Sequence, residues 1–198
     1  MGKDINKKKR ILEAATTVIA QKGYHSTKVS DIAKLAEVAD GTIYLYFKNK
    51  DNILLTILSD ALRDLNKKLI YQLNNINSVE NKIKKIIDNH LKFISQNNSM
   101  AQVLQIELRS CSTFMRGGMF PELRNYLKII EEVISYGIRI GQIKKDIDVK
   151  IAAKSLFGML DELSTIWILR KKHAINKMAK TVFEIFCRGT IKNTSINP

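Results

Sequence analysis

Proline is almost missing from this chain. Pro121 and Pro198 are the only two in 198 residues, and glycine accounts for nine. Collagen-like repeats, proline-rich linkers and turn-dense all-β folds need far more of both and are disfavoured. Cysteine is equally scarce: Cys111 and Cys187 lie far apart, no CxxC pair exists, and the histidines stop at His25, His90 and His173. That set supports neither a zinc site nor a disulfide framework; it fits two buried thiols in a reducing compartment. Long apolar runs are absent as well. The best candidate, residues 155–169, is broken by Asp161 and Glu162, so no membrane span is expected. The basic start MGKDINKKKR leads into Glu13 and two threonines rather than an apolar leader, and Asn6 stands where a myristoylation signal needs Ser or Thr. The expected location is cytoplasmic. No Ser/His/Asp or Cys/His arrangement, P-loop or dinucleotide motif is present. The chain is therefore not expected to be an enzyme, and no catalytic residue, metal ligand or cofactor is assigned.

What is plentiful is positive charge. Thirty-three Lys and Arg face nineteen Asp and Glu, for a net +14, which points to an anionic partner or to a lysine-rich solvated surface. Twenty-five of the basic residues are lysines, and the excess is spread: residues 1–52 hold ten basic and six acidic groups, residues 53–198 twenty-three and thirteen. Charge alone does not say which region meets an anion.

The rest of the pattern is helical, and the expected fold class is all-α. Ile11, Leu12, Ala15, Val18 and Ile19 keep the i, i+3, i+4, i+7 spacing of a helix over residues 7–22, stopped by Gly23. Thr27 is expected to cap a short second helix, with Val29, Ile32, Ala33 and Ala36 inward. Asp40 is expected to cap a third, residues 42–47, and Asn49 a long fourth, residues 50–74. Ser78 caps residues 79–96, and Ser99 with Gln102 forms a capping box for 100–111. Arg116, Gly117, Gly118 and Pro121 mark a break. Helices over 122–140, 148–170 and 174–188 follow, the first and last ending at Gly141 and Gly189, and the polar tail frays.

Residues 28–47 place a short helix, a turn at Glu37, Val38 and Ala39, and a second short helix crowded with Tyr44, Tyr46 and Phe47. That is the layout of a helix-turn-helix, whose second helix enters the major groove. Ile11-Leu12-Glu13-Ala14-Ala15, Gly23-Tyr24, Thr27, Ile32-Ala33, Val38 and the run Gly41-Thr42-Ile43-Tyr44-Leu45-Tyr46-Phe47-Lys48-Asn49-Lys50 make the pattern specific. On these residues the chain resembles the tetracycline-repressor (TetR) family of bacterial regulators. The resemblance implies a three-helix DNA-binding domain, residues 1–50, joined to a larger helical effector and dimerisation domain, residues 51–198. One departure is Glu37, where the family's turn usually has glycine; a left-handed backbone there costs Glu about 1 kcal/mol.

The same resemblance assigns roles. Thr42 opens the recognition helix and offers a hydroxyl to a phosphate. Tyr44 and Tyr46 lay their rings on sugar or a thymine methyl, or Tyr44 packs in the core; Phe47 and Ile43 are core. Lys50 binds phosphate. Lys28, Ser30, Asp40, Gly41, Leu45 and Lys48 lie where relatives approach base edges or backbone. Lys3, Lys7, Lys8, Lys9 and Arg10 either follow the DNA backbone or are solvated. A two-fold dimer reads a palindromic operator, and the family dimerises through its last two long helices. Leu156, Phe157, Leu160, Leu163, Ile166, Trp167, Val182, Phe183 and Phe186 are shared there between core and interface in proportions the sequence leaves open.

Residues 38–50, Gln105-Ile106-Glu107-Leu108-Arg109, residues 137–141, Phe157-Gly158 and Asp161-Glu162 are similar to the fatty-acid-degradation (FadR-type) regulators of Gram-positive bacteria. That implies a repressor released from operator DNA by long-chain acyl-CoA. Such an effector needs an apolar tunnel and a cationic mouth. Candidates are Leu62, Phe93, Leu104, Ile106, Leu108, Phe157 and Trp167 for the tunnel, with Leu58 and Val103 beside them, and Arg109, Arg116 and Arg124 for the mouth, since a guanidinium fork suits phosphate. The same apolar stripe also serves as ordinary core, and Arg109 also fits an internal pair with Glu107, Asp161 or Glu162. The alternatives are a regulator of efflux or stress genes answering another hydrophobic ligand, and an effector-independent architectural DNA-binding protein.

Overall fold

The computed structural model describes residues 2–111, 120–171 and 174–192, the side chains from residue 6 onward. The break at 116–118, with Arg116, the side chain of Lys3, His173 and the tail from 193 lie outside the described residues. Helix dominates, as the periodicity predicts: α1 (Gly2–Lys22), α2 (Val29–Leu35), α3 (Asp40–Tyr46), α4 (Lys50–Asn74), α5 (Val79–Gln96), α6 (Asn98–Gln105), α7 (Pro121–Arg139), α8 (Val149–Arg170) and α9 (Ile175–Thr190), with a 3-10 turn, Glu107–Ser110, after α6. Among the described residues there is no strand, only an isolated bridge between Ile143 and Ile191. No described helix is long and apolar enough to cross a membrane.

Several helix ends differ from expectation. Thr27 does not cap α2; its hydroxyl donates back to Gly23 O at 2.8 Å, and the cap position is Lys28, whose N–H donates to the Asp31 carboxylate at 3.0 Å. Asp40 is the first residue of α3 rather than its cap, which is Ala39. A carboxylate in the first turn still suits the helix dipole. Asn97, not Ser99, caps α6, accepting from Met100 N at 3.0 Å, and the helix gives way to the 3-10 turn instead of continuing to Cys111. α9 runs through Gly189 to Thr190. Asn49 and Asp148 cap as expected, at 2.8 and 2.9 Å.

The chain packs as two units, Met1–Ala61 with Asn97–Phe120, and Leu62–Gln96 with Pro121–Pro198. In the first, α1 packs on α2 and α6, and α2 on α3; Ile11, Ile19, Ile32, Ile43 and Phe47 are buried there. In the second, α5, α7, α8 and α9 enclose a larger core that includes Leu69, Ile83, Ile87, Leu91, Ile130, Leu156 and Leu160. Within it His90 Nδ1 and the Tyr126 hydroxyl share a hydrogen bond of 3.1 Å, and Phe157 stands edge-on to both rings. Both cysteines are buried and reduced.

Candidate nucleic-acid interface

α3 has seven residues, too few to persist alone, and is held by one side. Ile43 is 1% exposed and Phe47 2%, whereas the neighbouring Tyr44 and Leu45 are 57% and 82% exposed. Of the two alternatives for Tyr44, core and surface, the structure has surface. Ser30, Lys28, Asp40, Gly41 and Lys48 are exposed on the same short helices and their ends, and Thr42 and Tyr46 are half-buried. A cluster of phenol, hydroxyl, ammonium and bare backbone outside a small apolar core is equipped for phosphate oxygens and base edges. Lys7, Lys8 and Lys9 of α1 are exposed too; Lys9 reaches Glu13 at 3.7 Å and Lys8 Nζ lies 5.9 Å from the Phe47 ring.

The geometry of α2 and α3 depends on the two turns around them. Between them Glu37 sits at φ 53°, the left-handed conformation that the sequence flagged. Glu37 N donates to Lys34 O at 3.3 Å and Val38 N to Ala33 O at 3.0 Å, the Schellman closure of a helix. Arg10 of α1 braces it, donating to the carbonyls of Ala36 and Glu37 and approaching the Glu37 carboxylate at 3.6 Å. At the start of α2, Lys22 lies 2.9 Å from Asp31, and that ammonium, helped by the Lys28 N–H, holds the Asp31 carboxyl below the usual carboxylate range.

Lys50, assigned to a phosphate by resemblance, points inward here. Its ammonium donates to Tyr24 O at 2.6 Å, Thr27 O at 2.9 Å and His25 O at 3.3 Å and lies 4.4 Å from the Tyr24 ring centroid. An ammonium has three N–H donors, and three carbonyls take them. Burial lowers its pKa from the ordinary lysine value. Glu107 supports the same turn, accepting the Tyr24 N–H at 2.7 Å. Nothing in the spacing of Glu107, eighty-three residues from Tyr24, announces that contact.

The effector candidates divide between the packing units. Leu104 and Leu108 are buried, Ile106 half-buried and Arg109 exposed in the first; Leu62, Phe93, Phe157 and Trp167 are half-buried against the core of the second. Arg109 donates to Gln105 O within its own segment, and Lys171 Nζ sits 5.6 Å from the Trp167 ring. The second unit also carries a cleft of about 350 Å³ lined by Arg63, Asn66, Lys67, Lys128, Glu122 and Ile129 among others. In it Asn66 Oδ1 and Glu122 Oε2 are buried without a partner. The sequence did not foresee this cleft, because its polar residues fall on two helices with no shared motif. On α8 and α9, Leu156, Leu160, Val182 and Phe186 are core, whereas Phe157, Leu163, Ile166, Trp167 and Phe183 keep part of their surface in solvent.

Two family profiles cover nearly the whole chain: "Bacterial regulatory proteins, tetR family" matches residues 11–57, and "YsiA-like protein, C-terminal region" residues 58–189. The chain belongs to the TetR family of transcriptional regulators. This TetR-family regulator is 34% identical over 181 residues to the fatty acid metabolism regulator protein of Bacillus subtilis (strain 168), covering 91% of this chain and 93% of that one. The crystal structure of the regulator FadR from Bacillus subtilis in complex with stearoyl-CoA superposes with a TM-score of 0.86 at 34% identity, over 91% of this chain and 97% of that one. FadR of Bacillus halodurans, a fatty acid degradation regulator, gives 0.87 at 35% identity over 92% and 95%. The family resemblance carried by residues 38–50 thus extends over the chain, and the activity is regulation, not catalysis.

Proposed function

We propose that this TetR-family protein is a dimeric repressor of fatty-acid-degradation genes that leaves a palindromic operator in the cytoplasm when long-chain acyl-CoA binds. The observation that carries the reading is similarity at 34–35% identity along nine-tenths of the chain to FadR proteins, one of them bound to stearoyl-CoA. In this account Tyr44, Leu45, Lys48, Thr42, Gly41, Asp40, Tyr46, Ser30 and Lys28 form the surface offered to DNA. Lys50 acts behind them, keeping α4 against the turn that carries α2.

Two further features support it. α8 and α9 leave Phe157, Leu163, Ile166, Trp167 and Phe183 partly exposed and Ile151, Leu169 and Ile185 58–65% exposed, apolar surface suited to a second copy. Arg109 remains exposed beside the apolar Leu104, Ile106 and Leu108, an arrangement suited to an amphipathic anion, and within the second unit Leu62, Phe93, Phe157 and Trp167 are taken separately as candidate apolar ligand contacts. A palindromic probe recovered by binding-site selection is titrated with lauroyl- to oleoyl-CoA, following probe release and Trp167 fluorescence together. Release at micromolar acyl-CoA, with free CoA inactive, is expected. Tight specific binding that ignores every acyl-CoA would discard the effector and the target genes with it.

A further inference from the structure

The turn between α1 and α2 bonds locally through Thr27 N and the Thr27 hydroxyl to Gly23 O, and its other backbone groups are taken by residues remote in sequence. From one side Glu107 Oε2 accepts the Tyr24 N–H at 2.7 Å, while Gln102 of α6 donates to Glu107 Oε1 at 3.5 Å. From the other side the Lys50 ammonium takes the carbonyls of Tyr24, His25 and Thr27, and the Tyr24 hydroxyl donates to Asp51. Gly23, at φ 80°, lets the chain pass close enough that a Cβ there would lie 3.5 Å from Glu107 Oε2. α6 packs along α1, and every residue in this cluster belongs to one packing unit.

A backbone N–H outside regular structure takes a carbonyl, a side chain or water as its partner. Here it is given to an ionised carboxylate, and such charge-assisted bonds are shorter and stronger than neutral ones. We infer that Glu107 is a positioning residue for DNA reading: its carboxylate holds the α1–α2 turn, and through it α2 and α3, in the arrangement that fits the operator. Glu107 touches no DNA. The inference deepens the reading above and rests on it for one consequence. Arg109, the cation proposed for the effector, lies two residues away in the same four-residue turn. In this account an anion that draws Arg109 also draws Glu107 away from the Tyr24 amide, which would couple the two sites.

The test uses the full chain and the selected palindromic probe without ligand. Glu107→Ala is expected to lose about tenfold in operator affinity, with the log–log salt slope unchanged because no phosphate contact is removed. Glu107→Gln keeps an acceptor oxygen and is expected to stay within about threefold of wild type, and amide exchange at Tyr24 quickens in the alanine variant alone. Ile130→Ala, a truncation in the buried core of the second unit, controls for stability: it lowers the melting temperature at least as far and leaves operator affinity intact. Glu107→Ala binding within twofold of wild type, or Ile130→Ala losing affinity in step with it, overturns the inference. Stearoyl-CoA is added only afterwards. A wild-type protein that keeps its operator at saturating stearoyl-CoA would sink the effector reading, and the ligand-free comparison still decides the role of Glu107.

Discussion

Helices α2 and α7 end in the same hydrogen-bond pattern on different residues. In the DNA-reading unit the left-handed position is Glu37 at φ 53°; in the other unit it is Gly141 at φ 78°, closed by Gly141 N to Ile138 O at 3.1 Å and Gln142 N to Gly137 O at 2.9 Å. Glycine adopts that conformation without steric cost; glutamate does not, and the Arg10 brace accompanies it. The same contrast runs through the two interiors. The reading unit has a small core and relies on charged side chains, Arg10, Lys50 and Glu107, to hold irregular backbone. The second unit relies more on buried apolar area, and its buried imidazole among the described residues, His90, is paired with a phenol. One unit is therefore weighted toward charged hydrogen bonds at its turns and the other toward packing, although Lys82 and Lys144 also donate to the carbonyls of Leu73 and Gly189 there.

The largest expected contrast lies within the reading unit, at a pair of adjacent residues. Ile43→Ala removes a buried side chain of α3 and is expected to cost about 2–4 kcal/mol of stability, typical of a buried aliphatic truncation, measured by urea unfolding. Tyr44→Ala, next to it and exposed, is expected to change stability by no more than about 0.5 kcal/mol while weakening operator binding at least tenfold in a fluorescence titration. Equal effects on stability would erase the distinction between the inner and outer faces of α3.

The second unit should respond to pH through its buried imidazole. Burial lowers the His90 pKa from 6.5 to about 4, so between those values the unfolded chain binds a proton that the native chain refuses. Stability is whole above about pH 6.5 and falls as pH drops toward 4. Between pH 7 and pH 5 the loss is about 2 kcal/mol from the linkage relation, read from urea midpoints monitored by Trp167. His90→Gln should flatten this segment of the profile; a profile that stays as steep would assign the protons elsewhere.

The smallest effects come from exchanging the caps. Glu37→Gly should stabilise by up to about 1 kcal/mol, since the exposed Arg10–Glu37 pair is worth little. Gly141→Ala should destabilise by about 1 kcal/mol, because nothing crowds the new Cβ and only the backbone conformation opposes it. Thermal or denaturant midpoints that move in the same direction for both would contradict the account of these two turns.

Much of the fold was legible because helix spacing repeats locally. α4 and α5 begin and end where their caps and apolar periods put them, and the motif around Gly41–Lys50 identified the reading helix. The ends that misled were those where the side chain best suited to cap is not the residue at which the helix begins: Thr27 beside Lys28, Asp40 beside Ala39, and Ser99 two residues after Asn97. Sequence weighs the side chain alone, whereas the folded chain chooses by which backbone position is extended. The outward turn of Tyr44 became visible only with Ile43 and Phe47 in place on the opposite side. The effector residues were the least legible. Phe157 or Leu104 in a tunnel and in a core obey the same helical period, and the contact of Glu107 with Tyr24 joins segments that no local pattern connects.

The central claim is that operator and acyl-CoA compete through one linked equilibrium, and binding reciprocity tests it directly. Stearoyl-CoA affinity is measured by calorimetry for the free protein and for the protein saturated with its operator. The account predicts weaker binding to the complex, by the same factor by which stearoyl-CoA weakens operator binding. Equal affinity for free and operator-bound protein would contradict it.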